Sequence, residues 1–174
     1  MTTQLIWDDN QYWETLYGHM FDRDLRLIDI ATYSITLTEM PLHVLATTKE
    51  YGIKCRLMIG TPPIGGFHTL KVNTSFESCV LRAANVKNHL NDKSYCRILP
   101  VSHLKCVIFH KKNPIVMLGG RNFSPSTMLD CTIYTDEKSI AADVIMKYNE
   151  VWKSAIPLDK VLKQIKSSVD LQRP

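Results

Sequence analysis

Residues 101–124 read VSHLKCVIFHKKNPIVMLGGRNFS, and within them two apolar runs, 104–109 and 115–118, flank a polar break, HKKNP at 110–114. Short runs rich in Val and Ile on either side of a Pro/Asn cluster are the pattern of two strands joined as a β-hairpin. With the turn centred between Lys112 and Asn113, antiparallel pairing sets His103 opposite Asn122 and Lys105 opposite Gly120. Side chains alternate along a strand, so His103 and Lys105 share a face with the residues opposite them. Directly opposed side chains lie roughly 5 Å apart. The expectation is an imidazole, an ammonium and a carboxamide gathered at one end of an apolar hairpin, beside two glycines.

Those residue types suit a phosphodiester. Lys105 supplies positive charge for a nonbridging oxygen, and the Asn122 amide donates to a second one. Gly119 and Gly120 carry no side chain to hold an anion away from the backbone. A neutral imidazole attacks phosphorus directly and forms a covalent intermediate. By position alone His110 is excluded from this set. It lies seven residues from His103 on the opposite face, about 23 Å along an extended strand, and reads as a turn residue.

The same residues carry a family resemblance. His103-Leu104-Lys105, followed by Gly119-Gly120-Arg121-Asn122-Phe123-Ser124, resembles the H-x-K…D…G-[GS]-x-N motif of the phospholipase D superfamily. His110 stands where that family usually has Asp, as some branches also lack it. Asp130 is the nearest candidate for the acidic residue that many members carry downstream of the Asn. The resemblance implies His103, Lys105 and Asn122 as catalytic residues, with Gly119, Gly120, Ser124 and Asp130 supporting the phosphate. It implies that His103 forms phosphohistidine while a second, protonated imidazole donates to the leaving oxygen and later activates water. H-x-K occurs once in the chain, so that second imidazole is expected from an identical copy in a two-fold homodimer. The scheme calls for no cofactor and no metal.

Outward from the hairpin, the upstream chain alternates strand and helix signals. A helix with Tyr12, Leu16 and Met20 on one face is capped by Asp8 or Asp9. A strand over 25–33 follows, then a helix that begins after Thr38, runs to Tyr51 and stops at Gly52, then a strand over 53–59. Strand–helix–strand implies a parallel pair with a crossover. The loop GTPPIGGFHT at 60–69 leaves the carboxyl end of such a strand, where open α/β sheets place ligands. It makes Phe67 and His68 substrate-loop candidates together with Arg121, although an exposed loop histidine is the plainer account of His68. A helix over 75–90 with Phe76, Cys79, Val80, Ala83 and Val86 on one face and a strand over 95–99 precede the hairpin. Beyond it come a strand over 131–134 and a helix over 139–152 striped with Ile140, Val144, Tyr148, Val151 and Trp152. The expected fold is α/β, phospholipase D-like: one domain over 1–174, a mixed β-sheet flanked by helices on both faces, a core from about 25 to 155 and a C-terminal helix over 158–168.

Composition narrows the function classes. The chain has 174 residues, enough for one domain with a real core, and carries a net charge of +4, compatible with a polyanion. No apolar run approaches the roughly 18 residues that span a bilayer. Cys55, Cys79, Cys96, Cys106 and Cys131 stand singly, without CxxC spacing, so neither a disulfide framework nor a zinc cluster is suggested. A reduced, cytoplasmic protein is expected. Three functions follow: a metal-independent endonuclease, with DNA favoured over RNA; a phospholipase or other small phosphodiesterase; and a catalytically silent protein of this fold that binds nucleic acid or a partner. The compact single-motif chain and the lack of an interfacial apolar helix favour the first.

Overall fold

A computed structural model describes residues 2–33, 35, 39–61, 76–100, 102–120, 122 and 130–170. The chain opens on a strand, β1 (Thr3–Ile6), and only then enters α1 (Asp9–His19). The Asp8 carboxylate caps that helix by accepting from the Gln11 N–H at 2.9 Å. The anticipated strand–helix–strand unit is present as β2 (Leu27–Thr32), α2 (Glu39–Glu50) and β3 (Lys54–Thr61). Gly52, with φ +65°, supplies the left-handed turn that ends α2. Then follow α3 (Phe76–Lys87), β4 (Tyr95–Pro100), the hairpin strands β5 (Cys106–His110) and β6 (Ile115–Gly119), β7 (Thr132–Thr135), α4 (Lys138–Ser154), the short β8 (Ile156–Pro157) and α5 (Leu158–Asp170).

The strands form one eight-stranded sheet in the order β1-β7-β6-β5-β2-β3-β4-β8. β2, β3 and β4 run parallel, and the rest pair antiparallel, so the sheet is mixed as expected. Its two faces carry different layers. Ile28, Ile30, Leu57, Ile59, Ile98, Val107 and Phe109 pack with Leu16 of α1, Val44 of α2, Val80 of α3 and Val161 of α5. The alternate residues, Ala31, Met58, Cys106, Ile108 and Val116, pack against α4 through Ala141 and Tyr148. Strand alternation thus produces helices on both faces. The expected helical stripes largely turn inward, although Ile140 is 37% exposed and lies outside the core, and the Phe76 side chain lies outside the described residues.

The hairpin register differs from the expectation by one residue. Cys106 pairs with Leu118 and Phe109 with Ile115, which centres the turn on Lys112 and sets Lys105 beside Gly119 instead of Gly120. The Gly119 N–H donates to the Lys105 carbonyl at 3.3 Å, continuing this register past the end of the ladder. His103 precedes β5 and lies outside the ladder altogether.

Candidate active site

The parallel strands β2, β3 and β4 end on one side of the sheet, and β5 begins there because it runs antiparallel to β2, with Ala31 opposite Cys106. Tyr33, Gly60, Ser102, His103, Lys105 and Gly119 therefore gather at one edge. This is the carboxyl edge of the parallel strands, the usual ligand edge of open α/β sheets.

His103 is exposed and Lys105 half-buried. Their side chains meet: Lys105 Nζ lies 2.8 Å from His103 Nδ1 and 3.5 Å from Nε2. Nδ1 is thus within hydrogen-bonding distance of the Lys105 amine. Burial pushes the Lys105 ammonium below its usual range, and the Asp130 carboxylate opposes that shift. Beneath Lys105 the packing is nearly solid, with a cavity of about 10 Å³ among Tyr12, Met117, Gly119 and Thr132.

The two glycines do not leave the open space anticipated for them. A Cβ on Gly119 would stand 2.3 Å from the Cys131 carbonyl oxygen and 2.7 Å from Thr132 Cα, so this position is bare because β7 crosses it. A Cβ on Gly120 would meet Asp130 Oδ1 at 2.8 Å. The Gly120 N–H donates to the Cys131 carbonyl at 3.0 Å, which fixes Asp130 alongside. The acidic residue expected downstream of the Asn thus sits at the edge that carries Lys105. Asn122 is half-buried two residues past Gly120. Phe67, His68, Arg121 and Ser124 lie outside the described residues.

His110 is not a turn residue. It closes β5, and its Nε2 donates to Asp29 Oδ2 at 2.6 Å. Asp29 is fully buried on β2, and Arg56 of β3 grips it from the other side, Nε to Oδ1 at 2.6 Å and Nη2 to Oδ2. Arg56 also donates to Asn149 Oδ1 at 2.8 Å and lies over the Tyr148 and Trp152 rings of α4. His110 is thereby tied to an acid on the neighbouring strand of the sheet. His110 and Asp29 lie on the strand face that packs against α4.

Two residues at the edge, Tyr33 and Gly60, received no role of their own in the sequence reading. The Tyr33 ring lies 4.7 Å from the His103 ring, centroid to centroid, at a 45° tilt. Gly60 touches the chain just before His103: a Cβ there would stand 2.1 Å from the Ser102 carbonyl oxygen. The rule that pointed to the loop after β3 applies equally to the residue that follows β2, and that residue is Tyr33. A larger groove, about 850 Å³, opens at the far end of the sheet between the hairpin tip and α4, lined by Lys112, Pro114, Ile145, Met146 and Lys153. No group at the H-x-K edge lines it. Among the described residues no cluster of His, Cys, Asp or Glu has the makings of a metal site, and no helix is long and apolar enough to cross a membrane.

No family model matches the sequence, and no curated protein is similar to it at the sequence level. Solved structures are similar. NucT from Helicobacter pylori superposes with a TM-score of 0.62 at 14% identity, over 90% of this chain and 98% of that one. Nuc from Salmonella typhimurium, a phospholipase D family member, superposes with a TM-score of 0.60 at 15% identity, over 90% and 97%. A polyphosphate kinase from Porphyromonas gingivalis reaches 0.60 at 17% identity over 86% of this chain, which spans only 26% of that protein. Nearly full-length agreement in both directions with Nuc, together with the mixed sheet and its two helical layers, establishes that this chain has the phospholipase D fold.

Proposed function

We propose that the chain is a phosphodiesterase that cleaves nucleic acid, DNA in preference to RNA, through a covalent phosphohistidine on His103, in a site completed by a second copy of the chain. The observation that carries this reading is the contact between the exposed His103 imidazole and the half-buried Lys105 amine at the ligand edge of the sheet.

An incoming phosphodiester competes for the ammonium that caps His103. Once Lys105 moves to a nonbridging oxygen, the imidazole lone pair is released beside an electrophile whose charge has just been neutralised. The imidazole nitrogen then bonds to phosphorus as the bond to the leaving oxygen breaks. A protonated second imidazole gives its proton to that oxygen. Water attacks the phosphohistidine, surrenders a proton to the same second imidazole, and releases the phosphomonoester and free His103. Asp130, beside Gly120 and in electrostatic reach of Lys105, keeps that lysine charged against the effect of burial. Asn122 donates to a second phosphate oxygen, and a copy of His103 across a two-fold axis is the second imidazole.

Support for nucleic acid comes from compact Nuc and NucT, which match this chain over nearly their whole length, and from the net charge of +4. The test is cleavage of plasmid DNA in EDTA, run beside phosphatidyl substrates and a gel-shift assay. DNA cleavage that survives EDTA and is lost in His103→Ala is expected. Release from phosphatidyl substrates alone, DNA shifted without cleavage of any phosphodiester, or full activity in His103→Ala would each overturn the reading.

A further inference from the structure

Taking His103 as the nucleophile, we infer that Tyr33 is its positioning residue, the side chain that keeps the imidazole aimed after Lys105 has left it. Among the described residues the imidazole makes two side-chain contacts of known geometry: Lys105 at Nδ1, 2.8 Å away, and the Tyr33 ring against its face, centroids 4.7 Å apart. In the proposed reaction the first is given up to the phosphate. An imidazole on an exposed segment outside the β-ladder would then sample its rotamers freely. Loss of a near-attack orientation is costly, because a misplacement of about 1 Å lowers rate on the order of a hundredfold.

Tyr33 is built to prevent this. It follows the last residue of β2, so its backbone is anchored by the central sheet. Gly60 of β3 lies against both segments: a Cβ there would stand 3.4 Å from Tyr33 Cα and 2.1 Å from the Ser102 carbonyl oxygen, so its bareness lets them close in. The main chain entering His103 is thereby pressed against the strand beside Tyr33, and the Leu104 N–H donates to Ser102 Oγ at 3.2 Å to hold the bend. A tilted aromatic contact tolerates both the neutral and the protonated imidazole, since a ring face also attracts a cation. The same tyrosine therefore serves before and after proton transfer. The contact is made by the ring and not by the hydroxyl, so phenylalanine is expected to replace it.

The experiment compares Tyr33→Leu, Tyr33→Met and Tyr33→Phe with wild type in cleavage kinetics, and measures in each the rate at which diethyl pyrocarbonate modifies His103, read by mass spectrometry. In the Leu and Met variants kcat is expected to fall about tenfold or more with KM within about twofold. Modification of His103 is expected to accelerate as its ring face is uncovered. Tyr33→Phe is expected to match wild type in both. Unchanged kcat and unchanged modification in whichever of the two aliphatic variants folds, with His103→Ala inactive, would overturn the role of Tyr33 and leave the nucleophile standing. Full cleavage by His103→Ala would instead remove the nucleophile, while the modification rates would still report whether Tyr33 covers the ring.

Discussion

At the scale of single residues, the most informative departure is at position 110. His110 reads from sequence as a turn residue, and the sequence offers no hint of its partner. That partner is Asp29, one strand away and fully buried, held by Arg56 as well as by His110. An internal carboxylate is tolerable only while paired, and stripping one partner from a buried ion pair costs about 3–5 kcal/mol. Arg56 and His110 keep about a fifth of their side-chain surface exposed, so solvent softens that figure. Asp29→Ala is expected to lose about 2–3 kcal/mol in urea denaturation. Because Asp29 binds His110 and Arg56 and stands outside the contacts of His103 with Lys105 and Tyr33, the folded variant should cleave at a rate close to wild type. A variant of full stability, or one that folds normally and is inert, would show that this network is not the structural tie described here.

At the scale of elements, the sequence was legible wherever apolar periodicity and punctuation agreed. β2, α2 and β3 lie within two residues of the expected bounds because Gly52 marks the helix end and the strands are too apolar to be anything but buried. β1 and β8 escaped because they are four and two residues long and exist by pairing with β7 and β4, not by their own composition. The hairpin was recognised while its register was not: HKKNP accommodates a turn centred on either of two positions, and both apolar runs stay buried in each. In the observed register Lys105 stands beside Gly119, and both glycines pack closely against Asp130, Cys131 and Thr132. Tyr33 and Asp29 went unassigned for a different reason, since each meets a histidine more than 50 positions away in the chain.

The hairpin tip has its own anchor. Lys111 pairs with Asp22 just past α1, and His19 Nδ1 lies 3.1 Å from the same carboxylate with its ring stacked on Tyr134. Burial holds the His19 imidazole below its ordinary value of 6.5, and the neighbouring Lys111 charge adds to that, outweighing Asp22. The unfolded chain therefore takes up this proton at a higher pH than the folded one. Stability is full above about pH 6.5 and falls as pH drops from there toward the folded value. His19→Gln is expected to flatten that part of a plot of urea midpoint against pH. An equally steep slope in the variant would place the titration elsewhere.

At the scale of the whole molecule, topology does what no local pattern can. Placing β5 antiparallel beside a parallel β2-β3-β4 unit brings the residues just before β5 to the carboxyl ends of three strands at once. An exposed His103 at that edge can be approached by a second imidazole, and the proposed two-fold pairing needs no more than two such edges meeting. The reaction leaves a specific trace, because a phosphoramidate on histidine survives in alkali and is lost in acid. Mixing enzyme with DNA, quenching in alkali within the first turnover and mapping the chain by mass spectrometry reads it directly. A nucleotidyl phosphate on His103, absent from His103→Ala, is the expected result; steady cleavage with the adduct missing, or carried by another residue, would contradict it.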